Sequence, residues 1–103
     1  MAAESLTDKT LLDILSKLEP GDNLDQSLRQ LLVKKVRNDL TKYHLIDQGF
    51  QKAYRMDFLP FKTSEQMVRP SFRVEQDYFD WEMAVTMIDE LEDTLQVLQR
   101  AAG

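Results

Sequence analysis

Residues 71–98 read SFRVEQDYFDWEMAVTMIDELEDTLQVL, and the spacing of the apolar positions in this stretch decides the fold. Along each side of a helix they fall three and four apart, which is the period of a helix. They also form two stripes. On a wheel of about 100° per residue, Val74, Tyr78, Trp81 and Val85 share a narrow arc, and Ile88, Leu91, Leu95 and Leu98 continue it with a steady drift. Such drift is what a left-handed supercoiled helix contact produces. This stripe is expected to face a second helix of the same chain. Phe79, Met83 and Met87 step by four along nearly the opposite side, where a two-helix hairpin has nothing to cover them. Three partners fit the second stripe: another helix of this chain, a second copy, or a different protein. Methionine suits the last two, because its flexible thioether adapts to an irregular surface.

Upstream, residues 25–55 read as one long helix capped by Asn23 or Asp25. Leu28, Leu32, Val36, Leu40, Tyr43, Ile46, Phe50 and Tyr54 recur every three or four residues. Gly49 is a weak point in that helix, expected to mark a close contact or a mild bend. Residues 57–70, DFLPFKTSEQMVRP, are the hinge: Asp57 is placed to cap a single turn containing Pro60, and Phe58, Leu59 and Phe61 are read as a plug closing one end of the core. Ser71 caps the helix over 72–100. A shorter helix over 5–19, with Ser5 or Thr7 as cap and Leu11, Leu12, Leu15 and Leu18 as its apolar face, ends at Pro20-Gly21. At about 16 Å for its central turns it is too short to cover two helices of about 45 Å. The expected fold class is all-α: one domain over 1–103, a long antiparallel helical hairpin with an additional short N-terminal helix, closing into a four-helix bundle if it dimerises.

The totals narrow the function. A chain of 103 residues holds one domain and a modest core. No apolar run is long enough to span a membrane, and the opening MAAESLTDKT has neither the basic start nor the apolar core of a secretory signal, so a cytoplasmic protein is expected. Without cysteine there is no disulfide framework, zinc–thiolate site or thiol nucleophile. The net charge of −5 hides an asymmetry: residues 28–55 carry seven basic and two acidic side chains, residues 71–103 two basic and eight acidic. Charge complementarity between these two segments is expected to help set which helix lies beside which.

Signals for catalysis are weak. His44 is the only histidine, and with Asp47 it makes half a metal site with no second histidine to complete the usual set. There is no phosphate-binding glycine loop, no nucleophile elbow and no Glu-x-x-His pair of the di-metal bundles. No cofactor and no enzymatic activity are expected. Lys34, Arg37, Lys52 and Arg55 form a basic stripe, but without interleaved aromatics or a recognition-helix pattern, so nucleic-acid binding ranks below protein binding and self-association.

Two segments carry a resemblance. KYHLIDQGFQKAYRMDFLPF (42–61) and SFRVEQDYFDWEMAVTMIDELEDTL (71–95) resemble a group of small prokaryotic helical proteins encoded beside TumE-like toxins. Their pattern is a long helix ending Phe-x-x-x-Tyr-Gly-Met-[Ser/Asp]-Phe-x-x-Phe, then a helix opening Tyr/Phe-x-Val-Glu-x-Asp-Tyr-x-x-Trp-Glu. The matching residues are Phe50, Tyr54, Met56, Asp57, Phe58 and Phe61, then Phe72, Val74, Glu75, Asp77, Tyr78, Trp81 and Glu82. Arg55 departs from the pattern, which has glycine there; a left-handed turn strains arginine, so the first long helix is expected to run on through it. The resemblance implies a toxin partner of antitoxin type. Joined to the apolar stripe and the acidic helix face, it gives a non-enzymatic protein-binding module for a small ribonuclease-like toxin. The expected contact residues are Phe58, Phe61, Glu75, Asp77, Phe79, Glu82, Met83 and Met87. The alternatives are a self-associating structural or regulatory bundle, and a nucleic-acid-binding regulator.

Overall fold

The computed structural model of the chain describes Asp13–Ile14 and Leu24–Ala102. Helix α1 runs Leu24–Tyr54, the five-residue α2 Phe58–Lys62, and α3 Phe72–Ala102, with one 3-10 turn at Glu65–Met67 between the last two. No strand occurs among the described residues. The two 31-residue helices are each about 46 Å long and form the expected antiparallel hairpin. The helix expected over 5–19 lies outside the described residues except for Asp13 and Ile14, which are helical and exposed. No helix of the described residues is long and apolar enough to cross a membrane.

The inner stripe of α3 packs on α1 as its spacing requires. In the open half of the hairpin Val36, Leu40 and Ile88 are buried, with Tyr43, Leu91, Leu95 and Leu98 against them. In the closed half Phe58, Phe61 and Trp81 are buried, surrounded by Phe50, Tyr54, Met56, Met67, Val74, Tyr78 and Val85. Small Ala84, fully buried between the two groups, lets the helices approach. Leu32, expected in the buried row of α1, is exposed.

Local chemistry fixes the ends. Ser71 caps α3: its Oγ accepts from the Val74 N–H at 3.2 Å and its carbonyl from the Glu75 N–H at 3.0 Å. Asp57 stands at the N-cap of α2, but its side chain makes no capping bond there; its carbonyl accepts from the Phe61 N–H at 3.1 Å. In that single turn Phe58 and Phe61 point the same way, into the core, while Leu59 points out, 72% exposed. The plug therefore has two members and not three.

The end of α1 corrects the sequence reading. The helix stops at Tyr54, and Arg55 takes a left-handed conformation with φ 57°. The chain turns there to bring α2 back over the hairpin, at the position where the resembling pattern has glycine. An L-residue with a Cβ in this region costs about 1–2 kcal/mol, and the exposed arginine buries nothing to offset it. Arg55→Gly is accordingly expected to raise the unfolding free energy by about 0.5–1 kcal/mol, after the extra entropy glycine gives the unfolded chain is deducted. A urea titration checks this; a lower midpoint in the variant contradicts the assigned turn.

Candidate functional site

Helix α3 presents two faces to two environments, and the eight expected contact residues divide between them. On the inner side the indole of Trp81, with none of its surface exposed, stands among Phe50 (ring centroids 5.5 Å), Phe61 (5.0 Å), Phe58 (5.5 Å, edge-on) and Tyr54 (5.9 Å). Phe58 and Phe61 are thus core side chains with no surface to offer a partner, which removes them from the contact set. Offset and edge-on aromatic contacts of this kind add about 0.5–1.5 kcal/mol per pair beyond burial.

The polar atoms at the rim of this cluster are satisfied within the chain. Trp81 Nε1 donates to Asp47 Oδ1 at 2.7 Å, and Gln51 donates to the other oxygen of the same carboxylate at 3.1 Å. Tyr54 Oη donates to Asp77 Oδ2 at 2.5 Å, and Tyr78 Oη donates to Glu82 Oε2 at 3.2 Å. Asp77 and Glu82, expected as parts of an acidic docking rim, are both half-buried and each holds a tyrosine of the core. Asp47 is not a companion of His44 but the acceptor for Trp81. His44 instead faces Glu92, Nε2 to Oε2 at 4.0 Å. Among the described residues no group of three or more His, Asp or Glu side chains is placed to hold a metal ion.

Ten of the thirteen residues of the resembling pattern are therefore accounted for by closure of the hairpin, and Asp57, Phe72 and Glu75 are exposed. What remains at the surface is the other side of α3. Phe79 is 57% and Met83 47% exposed, Met87 is half-buried at the edge, and Glu75 is exposed beside them. Phe72, 82% exposed, extends the row by two turns toward the start of the helix. The sequence reading placed Phe72 only in the motif, although its seven-residue spacing from Phe79 puts both on one face. The acids Glu75, Glu90 and Asp93 are all exposed. Among the described residues no Lys or Arg of α1 comes within 4.0 Å of an Asp or Glu of α3. The helices lie side by side as their charges suggested, yet the carboxylates that cross between them, Asp47 and Asp77, bind the indole of Trp81 and the hydroxyl of Tyr54 and not a lysine or arginine.

Comparison with protein-family models, curated proteins and solved structures finds no match to this chain.

Burial of its hydroxyl and the bond to Asp77 push the Tyr54 pKa up to about 12, from an ordinary 10.0. Burial and Glu82 push Tyr78 up as well. A raised folded-state pKa means that the folded protein keeps a proton the unfolded chain has already released. The contribution of Tyr54 is complete below pH 10 and is lost as the pH climbs to about 12. Unfolding free energies measured across that window should fall with pH, and Tyr54→Phe should make the fall shallower. Equal slopes in the two proteins would refute the Tyr54–Asp77 bond as a folded-state interaction.

Proposed function

We propose that this chain is a non-enzymatic protein-binding module whose site is the outer face of α3, and that its partner is a small ribonuclease-like toxin encoded by an adjacent gene, which it neutralises as an antitoxin. The observation that carries the binding reading is the exposure of Phe79 and Met83 on the side of α3 opposite the buried Trp81. Isolated surface apolar residues are ordinary, but a row of two phenylalanines and a methionine along one rigid helix is a continuous strip. Helix faces of this kind dock by inserting residues one or two turns apart into a partner's groove. Glu75 beside the strip, with Glu90 and Asp93 farther along, supplies negative charge that accelerates encounter with a basic partner. A ribonuclease surface that binds phosphates is basic in this way. The toxin class itself is supported by the resemblance over residues 42–61 and 71–95.

Co-expression with the neighbouring gene product, followed by capture and sizing, tests the reading. A stoichiometric complex and relief of toxicity are expected. In the double variant Phe79→Glu/Met83→Glu, loss of two central anchors of about 2 kcal/mol each should weaken the complex about a thousandfold. Helicity and Tm should stay close to those of the parent, because neither side chain belongs to the core. A variant that melts far lower would show that the strip is covered within the chain; one that still binds would move the site elsewhere.

A further inference from the structure

The back of α1 is the charge complement of the back of α3. Within an arc of about 120° on the side of α1 away from Leu40 lie Leu31, Lys34, Lys35, Lys42, Leu45, Gly49 and Lys52, and no carboxylate; Lys35 is paired at 3.0 Å with Asp39 just outside the arc, which leaves Lys34, Lys42 and Lys52 as its outward bases. The corresponding arc of α3, away from Trp81, carries Glu75, Phe79, Met83, Glu90, Asp93 and Val97, with one cation, Arg100, near its end. Leu31, Leu45 and Val97 are at least half exposed.

We infer that the outer face of α3 in one copy of this chain docks on the outer face of α1 in a second copy. The Trp81–Asp47 bond fixes which residues stand level in the hairpin. Counting equally in both directions from that bond, Phe79 is level with Gly49, Met83 with Leu45, and Val97 with Leu31. Glu75 falls within one residue of the level of Lys52, and Asp93 within one residue of that of Lys34. Two hairpins laid side by side without sliding therefore bring apolar residues to the level of apolar ones and acids to the level of bases. Gly49 gains a reason in this arrangement. A Cβ built on it meets nothing within 4 Å, so no contact inside the chain requires glycine there. At the surface it makes a dent opposite a phenylalanine, lined by Leu45, Ile46, Phe50 and Ala53 and bordered on one side by Arg73 and Asp77 of α3 in the same chain.

The two faces lie on opposite sides of one hairpin, so the contact is heterologous: each copy that gives α3 to one neighbour still has α1 to give another, and growth passes the dimer into a ring or chain. A strip about 46 Å by 10 Å offers roughly 460 Å² per copy, below the roughly 800 Å² per partner of a standard interface, so the contact is weak. The inference rests on the same open α3 face as the proposed function, and occupation by a second copy and by another protein exclude each other; it does not depend on that protein being a toxin.

Sedimentation of the purified full chain over a concentration series, at low and high salt, tests it. The mean mass should rise with concentration beyond that of a dimer, and less so in high salt. Lys34→Glu/Lys52→Glu alone and Glu75→Lys/Asp93→Lys alone should each stay monomeric, and an equimolar mixture should regain association. Gly49→Leu should abolish association while raising Tm, since it fills the dent with a better helix former. A parent chain that is monomeric throughout, a mixture that does not associate, or a Gly49→Leu protein that associates like the parent would each overturn the inference. The proposed function is scored separately, because the Lys34→Glu/Lys52→Glu protein keeps its α3 face and should still capture the neighbouring gene product.

Discussion

The fold depends on one side chain finding both an apolar shell and a hydrogen-bond acceptor. Trp81 is fully buried, and an indole N–H left unpaired in such a place costs about 1–3 kcal/mol. Its acceptor, Asp47, lies 34 positions away on the other long helix. Satisfying the N–H therefore sets the level at which α3 lies along α1. The same indole gives Phe58 and Phe61 a surface to dock on, which holds α2 against the end of the hairpin. The left-handed Arg55 turns the chain so that α2 can reach it. Fully burying a large apolar side chain is worth about 1.5–3 kcal/mol, against a net stability of about 5–15 kcal/mol for a domain. Trp81 and Phe61 alone are then a large share of what holds the molecule together.

A second consequence follows from the same arrangement. Each helix of a two-helix hairpin buries one side and leaves the other to solvent, and the outer sides of these two helices are neither uniformly polar nor alike in charge. That of α3 carries phenylalanine, methionine and acids; that of α1 carries leucine, glycine and lysines. The hydroxyl, indole and carboxylate groups that hold the closed end are directed at one another, while Glu75, Asp89, Glu90, Glu92 and Asp93 of α3 are exposed. The outer face of α3 is thus surface that the fold itself does not need.

Much of this was legible in the sequence. The three-and-four spacing located both long helices, and the two stripes of α3 separated its buried face from its open one. Ser71 announced its cap because capping is local. What was not legible was set by distance or by backbone strain. Nothing near Asp47 shows that its partner is an indole 34 residues later, and spacing alone pairs it with nearby His44. Arg55 hides a left-handed turn because only glycine advertises one. From sequence Phe58 and Phe61 fit both a plug and a contact surface, but a side chain that closes the core cannot serve a partner as well. Asp77 reads as part of a charged rim because the tyrosine that binds it, Tyr54, lies on the other helix; Glu82 reads so too, although Tyr78 one turn earlier is its neighbour on the same face.

The central claim is that α3 buries one apolar stripe and leaves the other open, and the methionines report on it directly. Met83 lies on the open stripe, while Met56 and Met67 pack against the aromatic cluster. Mild peroxide treatment of the dilute, folded protein in high salt, followed by peptide mass spectrometry, gives the oxidation rate of each. The account predicts that Met83 becomes the sulfoxide about as fast as in the unfolded chain, well before Met56 and Met67, with helicity retained. Met83 protected to the same degree as Met56 and Met67 would mean that the second stripe is core, and would contradict the account.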